Sequence, residues 1–345
     1  MSTRGNVLKA LEENKGKAVS GEELANRFNI SRAAIWKAIQ ELRREGYRIE
    51  AITNKGYSLA PDSDVLSAEG ILPHVTRPFM EDRIHVFQSV ESTNLTAKKM
   101  ALDGADAGTV VIAEEQTKGR GRMGRSFYSP SSSGIYMSFI LRPRFDTAKS
   151  VLITTAASVA VCKAIEAVTG LECRIKWVND VYYRDKKICG ILTEAVTDFE
   201  SGQIEHIVLG IGINFSTVFP EELSGIAGSL YEEASSNTEG GKIPVSRNRL
   251  IAEVINQVLE INEKLESRDF IPEYRKRSFV IGKEILIIPT GLQSKEANLS
   301  GGIQATAVDI DEDGGLMVRY ADGTTATLNS GEISIRTVET KQEKE

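Results

Sequence analysis

The stretch Lys118-Gly-Arg-Gly-Arg-Met-Gly-Arg-Ser-Phe-Tyr-Ser-Pro130 matches the pattern G-x-G-x-x-G through Gly119, Gly121 and Gly124. A dinucleotide fingerprint must follow a strand and open a helix, because the pyrophosphate rests on the helix N-terminus and the third glycine lets helix and strand pack closely. Residues 109–113, Thr-Val-Val-Ile-Ala, read as the strand. The segment after the loop, 126–134, has a proline, a serine run and no helical period. The doubly wound reading therefore fails. There remains a glycine loop carrying Lys118, Arg120, Arg122 and Arg125 with no acid among them, and guanidiniums of this kind hold phosphate or carboxylate in bidentate fashion.

Around this loop the pattern alternates short strands with helices. Strands are expected at 84–87, 109–115, 134–142, 173–177, 181–183, 188–194 and 204–214, and helices at 92–103, 148–168 and 246–268. Tight turns join successive strands, which makes the class α+β with a mixed, largely antiparallel sheet. Four further segments stand out. Glu91-Ser-Thr-Asn94 would open a helix with free backbone donors, Gln116 just precedes the loop, Lys176-Trp-Val-Asn-Asp180 ends a strand and is followed by Lys187, and Gly210-Ile-Gly-Ile-Asn214 places two glycines in a strand. Glycine there marks close approach of a backbone or a ligand.

The N-terminal end differs in charge from the rest. Residues 1–60 carry 11 Lys and Arg against 7 Asp and Glu, whereas the whole chain carries 42 against 48, so a basic end precedes an acidic body. Ser20 with Glu23 forms a capping box, and Ser31 caps a second helix in which Ile35, Ile39 and Leu42 keep helical spacing. Residues 47–59 alternate like two strands about Thr53-Asn-Lys-Gly56. Helix, helix, turn, helix and basic hairpin is the layout of a winged helix-turn-helix, whose last helix enters the DNA major groove. Ser31, Arg32, Trp36, Lys37 and Arg43, with Lys55 at the wing tip, are the candidate DNA contacts.

After 278, short strands recur at 284–289, 302–311, 316–321 and 324–329 with turns at Asp313-Gly-Gly315 and Asp322-Gly323, the spacing of a small β-barrel. The expected domains are thus 1–62, 66–275 and 278–338. A polar loop is expected at 234–242 and a disordered charged tail from 339. Hydrophobic content of 41% with 26% charged residues fits a soluble protein. The apolar run 151–162 stops at Lys163, too short to span a bilayer. Cys162, Cys173 and Cys189 lack C-x-x-C spacing and fit reduced thiols in the cytoplasm, and three scattered histidines exclude a convincing protein-built metal site or a Ser-His-Asp constellation.

Taken together, Gly119-Arg-Gly-Arg-Met-Gly-Arg125 and Lys176-Trp-Val-Asn-Asp180 resemble the biotin protein ligase family, and with the basic N-terminal end the chain resembles its bifunctional members, the biotin operon repressors. The resemblance implies a class II synthetase-like central domain, an SH3-like C-terminal barrel, and a reaction in which biotin and ATP, with Mg²⁺ carried by the triphosphate, give biotinoyl-5'-AMP before the acyl group passes to a lysine of a carboxylase carrier domain. It implies that Ser92, Thr93, Asn94 and Gln116 hold the biotin head, that Gly119, Arg120 and Arg122 close over it, and that Lys187 bridges the biotin carboxylate and the α-phosphate. Arg122, Arg125, Phe127, Asn179, Lys187 and Asn214 would face the nucleotide. Asp180 would either receive the proton of the attacking lysine or help place metal. The C-terminal barrel would either help dock ATP or the carrier, or simply stabilise the protein. Two departures are visible: the family usually has proline where Val178 stands, implying a less rigid strand end, and often tryptophan where Phe127 stands, implying a smaller platform for adenine. Joining a DNA-binding unit to a ligand-ordered loop further implies a homodimer that forms when ligand is bound and then occupies operator DNA. The rivals are a ligase for lipoate or another acyl acid, and a biotin-sensing regulator without transfer activity.

Overall fold

The computed structural model describes residues 2–78, 80–142, 150–197, 204–231, 246–289, 302–329 and 333–337. The polar loop expected at 234–242 and the tail from 339 lie outside the described residues. In the N-terminal unit, α1 (Thr3–Glu13), α2 (Gly21–Phe28) and α3 (Arg32–Arg44) each begin where a serine hydroxyl accepts a backbone N–H: Ser2 from Gly5 at 3.1 Å, Ser20 from Glu23 at 2.9 Å, Ser31 from Ala34 at 3.2 Å. Asn29 turns the chain between α2 and α3 in the left-handed region, φ 52°. Strands β1 (Ala18–Val19), β2 (Ile49–Ile52) and β3 (Gly56–Leu59) pair antiparallel in the order β1-β3-β2. Two residues are too few to show alternation, so β1 is invisible in sequence. Gly56 is required there, since a Cβ would fall 2.1 Å from the Val19 carbonyl oxygen. Leu8, Leu11, Leu24, Ile35, Ile39, Leu42 and Leu59 form a separate core.

The segment 61–67 that leaves the N-terminal unit is pinned to the central domain. A four-residue helix, α4 (Ala68–Ile71), follows it, and Asp64 just before it accepts from the buried Arg247 guanidinium at 2.8 Å; the same guanidinium reaches Glu114 at 2.7 Å. Losing one partner of such a buried group leaves an uncompensated charge, at a cost of about 3–5 kcal/mol.

The central sheet holds β4 (Ile84–Val90), β5 (Val110–Gln116), β6 (Ile135–Leu141), β7 (Arg174–Lys176), β8 (Asp180–Tyr183), β9 (Lys186–Thr197) and β10 (Ile204–Ile213), in the order β4-β5-β6-β10-β9-β8-β7. Only β4–β5 is parallel among these pairs, so the α+β reading holds. Helix α5 (Thr93–Leu102) covers one face, burying Ala97 and Ala101 against Val111, Ile140 and Val208. The other face meets α6 (Ser150–Thr169) and, beyond a short α7 (Glu221–Ser224), α8 (Arg247–Glu263). Leu250, Val254, Val258 and Ile261 of α8 are buried as their spacing predicts, but the helix ends at Glu263 and Leu265 is buried from a single 3₁₀ turn. Helix α6 stands where 148–168 is expected, but its apolar character continues past Lys163, and Val151–Thr169 is long and apolar enough to cross a membrane. The buried share of that window, 78%, identifies it as the core helix of the fold. All three cysteines are buried free thiols.

After α9 (Ile271–Arg277), strands β11 (Glu284–Pro289), β12 (Ile303–Ile310), β13 (Leu316–Tyr320), β14 (Thr325–Leu328) and β15 (Ile333–Thr337) make a five-stranded antiparallel sheet in the order β14-β13-β12-β11-β15. Four of the five were legible by alternation; β15 was not. Ile285, Ile287, Ala307, Ile310, Leu316 and Val318 belong to the same buried cluster as the central sheet, so this unit shares its core with the neighbouring domain.

Candidate functional site

Period-two alternation builds the floor of a pocket. In β10, Ile207, Leu209, Ile211 and Ile213 enter the main core, which turns Gly210 and Gly212 to the α5 face. In β6 the same rule sends Ser138 to that face, because Met137 and Phe139 take the other. A Cβ at Gly210 would lie 2.1 Å from Asn94 Oδ1, and one at Gly212 would lie 2.6 Å from the Phe127 ring. Each glycine thus makes room for one side chain over the sheet, which explains the motif seen in sequence.

At one end, Ser92, Thr93 and Asn94 at the start of α5 are buried. Gln116 Oε1 accepts from the Thr93 N–H at 2.9 Å and the Thr93 hydroxyl at 3.1 Å, while Gln116 Nε2 donates to Ser129 Oγ at 2.9 Å. Ser138 Oγ lies 2.8 Å from Thr93 Oγ1 and 2.7 Å from Asn94 Oδ1. Asn94 Nδ2 donates to Glu194 Oε2 at 2.7 Å, and Lys98 Nζ holds Glu194 Oε1 at 2.6 Å. Partial burial pushes the Glu194 carboxyl up, but the hydrogen bonds from Lys98 and Asn94 outweigh it and hold the group below the usual carboxylate range. Ser138, Glu194 and Lys98 escape the sequence reading. A lone serine in the apolar run Ile135–Leu141 was the available signal.

The other end is cationic. Arg120, Arg122, Arg125, Lys176 and Lys187 share the pocket wall with a single acid, Asp180. Arg122 is half-buried and donates through Nη1 to Asn179 Oδ1 at 3.2 Å, while Asn179 Nδ2 donates to the Ile191 carbonyl at 2.9 Å. Burial draws the Arg122 guanidinium below its ordinary value, against the opposing pull of Asp180. Lys187 Nζ stands 2.7 Å from Asp180 Oδ1, close enough for an ion pair, yet that buried oxygen has no aligned hydrogen-bond partner. The loop itself has a 3₁₀ turn at Arg122–Gly124 and then extended backbone, with no helix behind it, as its sequence requires.

Two expected residues are not on the wall. Asn214 is buried with its amide donating to the Lys187 carbonyl at 3.2 Å, so it supports the lysine's backbone. Gly119 lies behind the wall, where a Cβ would meet the Phe127 carbonyl oxygen at 2.4 Å. The strand end at Val178 is also tighter than expected: Val178 is buried, and its carbonyl accepts from Ser158 Oγ at 3.3 Å and Tyr274 Oη at 3.2 Å.

In the N-terminal unit Ser31, Arg32, Trp36, Lys37 and Lys55 are exposed, with Trp36 open over 58% of its surface. Arg32 pairs with Glu22 at 2.6 Å. Arg43 is half-buried and donates through Nε to the Ile49 carbonyl at 2.9 Å, so it braces helix against wing.

Residues 86–214 match the Biotin/lipoate A/B protein ligase family, residues 4–58 an HTH domain and residues 297–336 the Biotin protein ligase C terminal domain. Over 326 residues the chain is 35% identical to the bifunctional ligase/repressor BirA of Bacillus spizizenii, covering 93% of this chain and 95% of that protein. The chain belongs to the bifunctional ligase/repressor family. A second BirA, from Escherichia coli strain K12, is 30% identical over 329 residues, 94% of this chain and 95% of its own. Among solved members of the wider ligase family, the biotin protein ligase from Aquifex aeolicus in complex with biotin and ATP superposes with a TM-score of 0.60 at 27% identity, covering 74% of this chain and 99% of that one. Membership in the family accounts for the pairing of a helix-turn-helix unit with a cationic pocket.

Proposed function

We propose that the chain joins biotin to ATP and transfers it to a protein lysine, and that its N-terminal unit represses transcription. The observation that carries this reading is the division of one pocket into a hydrogen-bonding end and a cationic end. Thr93, Asn94 and Gln116 offer fixed donors and acceptors to a ureido ring. The carboxylate then points toward Arg122 and Lys187, which offset the repulsion between it and an α-phosphate. A carboxylate oxygen bonds to the α-phosphorus, pyrophosphate leaves, and the mixed anhydride is held under the glycine loop. The carrier lysine amine next attacks the acyl carbon and AMP departs. Asp180 accepts the amine's proton or helps place metal, and Lys187 Nζ stands 2.7 Å from its Oδ1 in either role.

Phe127, seated over Gly212, is the platform for adenine, with Arg125 and Asn179 beside the phosphates and Asn214 acting through Lys187. Magnesium would enter on the triphosphate, and the Asp180 carboxylate fits a site built mainly from phosphate oxygens and water. The domains run 1–62, 66–275 and 278–338, the last closing as an SH3-like barrel in the cytoplasmic protein. Ordering of the loop around the adenylate strengthens a homodimer, which places two copies of α3 on an operator through Ser31, Arg32, Trp36, Lys37 and Lys55.

The test uses purified protein, ATP, labelled biotin or lipoate, and a biotin carrier domain. Labelling of the carrier by biotin is expected. Labelling by lipoate alone contradicts the substrate, and pyrophosphate release without carrier labelling favours the sensor. Sedimentation showing one oligomeric state with and without adenylate would contradict the coupling.

A further inference from the structure

The segment that ends in Asn179 and Asp180 is fastened to the C-terminal sheet by one side chain. Trp177 lines the pocket, is buried, and donates its indole Nε1–H to the Gly314 carbonyl at 2.8 Å. Gly314 belongs to the turn between β12 and β13, and that turn is rigid for identifiable reasons. Asp311 Oδ1 accepts from the N–H groups of Asp313 at 2.9 Å and Gly315 at 2.7 Å. From outside, Arg268 donates to the Glu312 carbonyl at 3.0 Å and Asp313 Oδ1 at 2.7 Å, and Arg275 donates to the Ile310 carbonyl at 2.8 Å. Gly314 itself has φ +84°, and a Cβ there would lie 2.8 Å from Thr155 Oγ1 of α6. The turn is therefore a wedge set between α6 and Trp177.

The next residue is held by α6 and α9. The Val178 carbonyl takes hydrogen bonds from Ser158 and Tyr274. With the Trp177 side chain and the Val178 carbonyl both fixed, the bend that delivers Asn179 and Asp180 to Arg122 and Lys187 has little freedom. Among the described residues, the hydrogen bonds of Thr93, Asn94, Gln116 and Ser138 run to one another, Ser129, Leu192 and Glu194 and not to this wedge.

We propose that the Asp311–Gly315 turn and Trp177 form a positioning device for the nucleotide half of the site, so that the C-terminal sheet sets the geometry of adenylation through one indole hydrogen bond. This rests on the ligase reading. Trp177 is a positioning residue, acting through Asn179 and Asp180. Its contribution falls on the ATP step and leaves binding of the biotin head unchanged.

Trp177→Phe keeps the ring and removes the donor. The expected result is a fall of about tenfold in kcat/KM for ATP in biotin-dependent pyrophosphate exchange, the order of one well-placed hydrogen bond, with biotin Kd unchanged in the absence of ATP. Gly314→Ala should do the same, and Thr155→Ala in that background should restore activity by removing the two nearest atoms the new methyl meets, Oγ1 and Cγ2. Gly323→Ala is the control: it has the same left-handed backbone, φ +86°, on another turn of the same sheet, with nothing within 4 Å of a Cβ. It should lower the Tm as Gly314→Ala does and leave the ATP parameters alone. Wild-type ATP kinetics in Trp177→Phe would overturn the proposal, and so would equal kinetic losses in Gly314→Ala and Gly323→Ala. Absence of exchange in the unaltered protein would instead remove the ligase reading itself.

Discussion

The two ends of the pocket are built on opposite plans. At the Thr93–Gln116 end the polar groups answer one another: Thr93 with Gln116, Gln116 with Ser129, Asn94 with Glu194, Glu194 with Lys98. Across the pocket wall five cations share the space with one acid, and at the Arg122–Lys187 end Asp180 Oδ1 has no aligned hydrogen-bond partner. A satisfied network is rigid and recognises shape, whereas an excess of one charge waits for a ligand of the other. The difference teaches that binding and chemistry are assigned to different ends, a division that substitutions at either end can break.

The largest effect is expected at Lys187. Lys187→Gln removes the charge that offsets two anions, and adenylate formation should fall by about a thousandfold, the scale of losing a preorganised electrostatic group; quenched-flow measurement of biotinoyl adenylate reports it. Gly210→Ala and Gly212→Ala should then separate the ends. The first pushes on Asn94 and should weaken biotin about a hundredfold, or about 2.7 kcal/mol, by calorimetry. The second pushes on Phe127 and should raise KM for ATP by about tenfold while biotin Kd holds, on the scale of a disturbed aromatic contact. A mixed outcome, with Gly212→Ala acting on biotin, would erase the distinction.

Smaller effects sharpen the rigid end. Glu194 is held below the usual carboxylate range, so its contribution is present at neutral pH and is lost as pH falls through that depressed value, when protonation takes away the charged acceptor of Asn94 and Lys98. Biotin affinity should therefore stay level through mild acid and drop only below the ordinary carboxylate pKa; Glu194→Gln should flatten that drop and weaken biotin by about fivefold at neutral pH, near the value of one neutral hydrogen bond. The smallest effect lies outside the pocket. Lys37→Ala should reduce the slope of log affinity for DNA against log salt by about one, whereas Arg43→Ala, which removes a brace to Ile49, should lower the Tm and leave that slope unchanged.

How much of this the sequence disclosed depends on the range of the forces involved. The caps at Ser20 and Ser31 are local, and they stand where the residues say. The absence of a helix after the glycine loop was equally local, and it directed the reading away from a doubly wound sheet. Lys187, Asp180, Arg122 and Asn179 were legible through family motifs, and the fold does bring them into one wall. Other features depend on partners far along the chain. Glu194 meets Asn94 across 100 residues and Arg247 meets Asp64 across 183, and no local pattern reports either. Asn214 shows the converse: its motif was visible, but its amide serves the Lys187 backbone. The helix at 148–168 was legible, but its apolar length was underestimated because one lysine in an apolar run resembles an end, although Lys163 is an exposed position on a largely buried helix.

The most direct test is single-turnover adenylate formation by Arg122→Gln with biotin and ATP both saturating. The account predicts a rate about a hundredfold below the unaltered protein, at ligand concentrations where occupancy no longer limits it. Adenylate appearing at the original rate would show that the cationic end does not drive the chemistry.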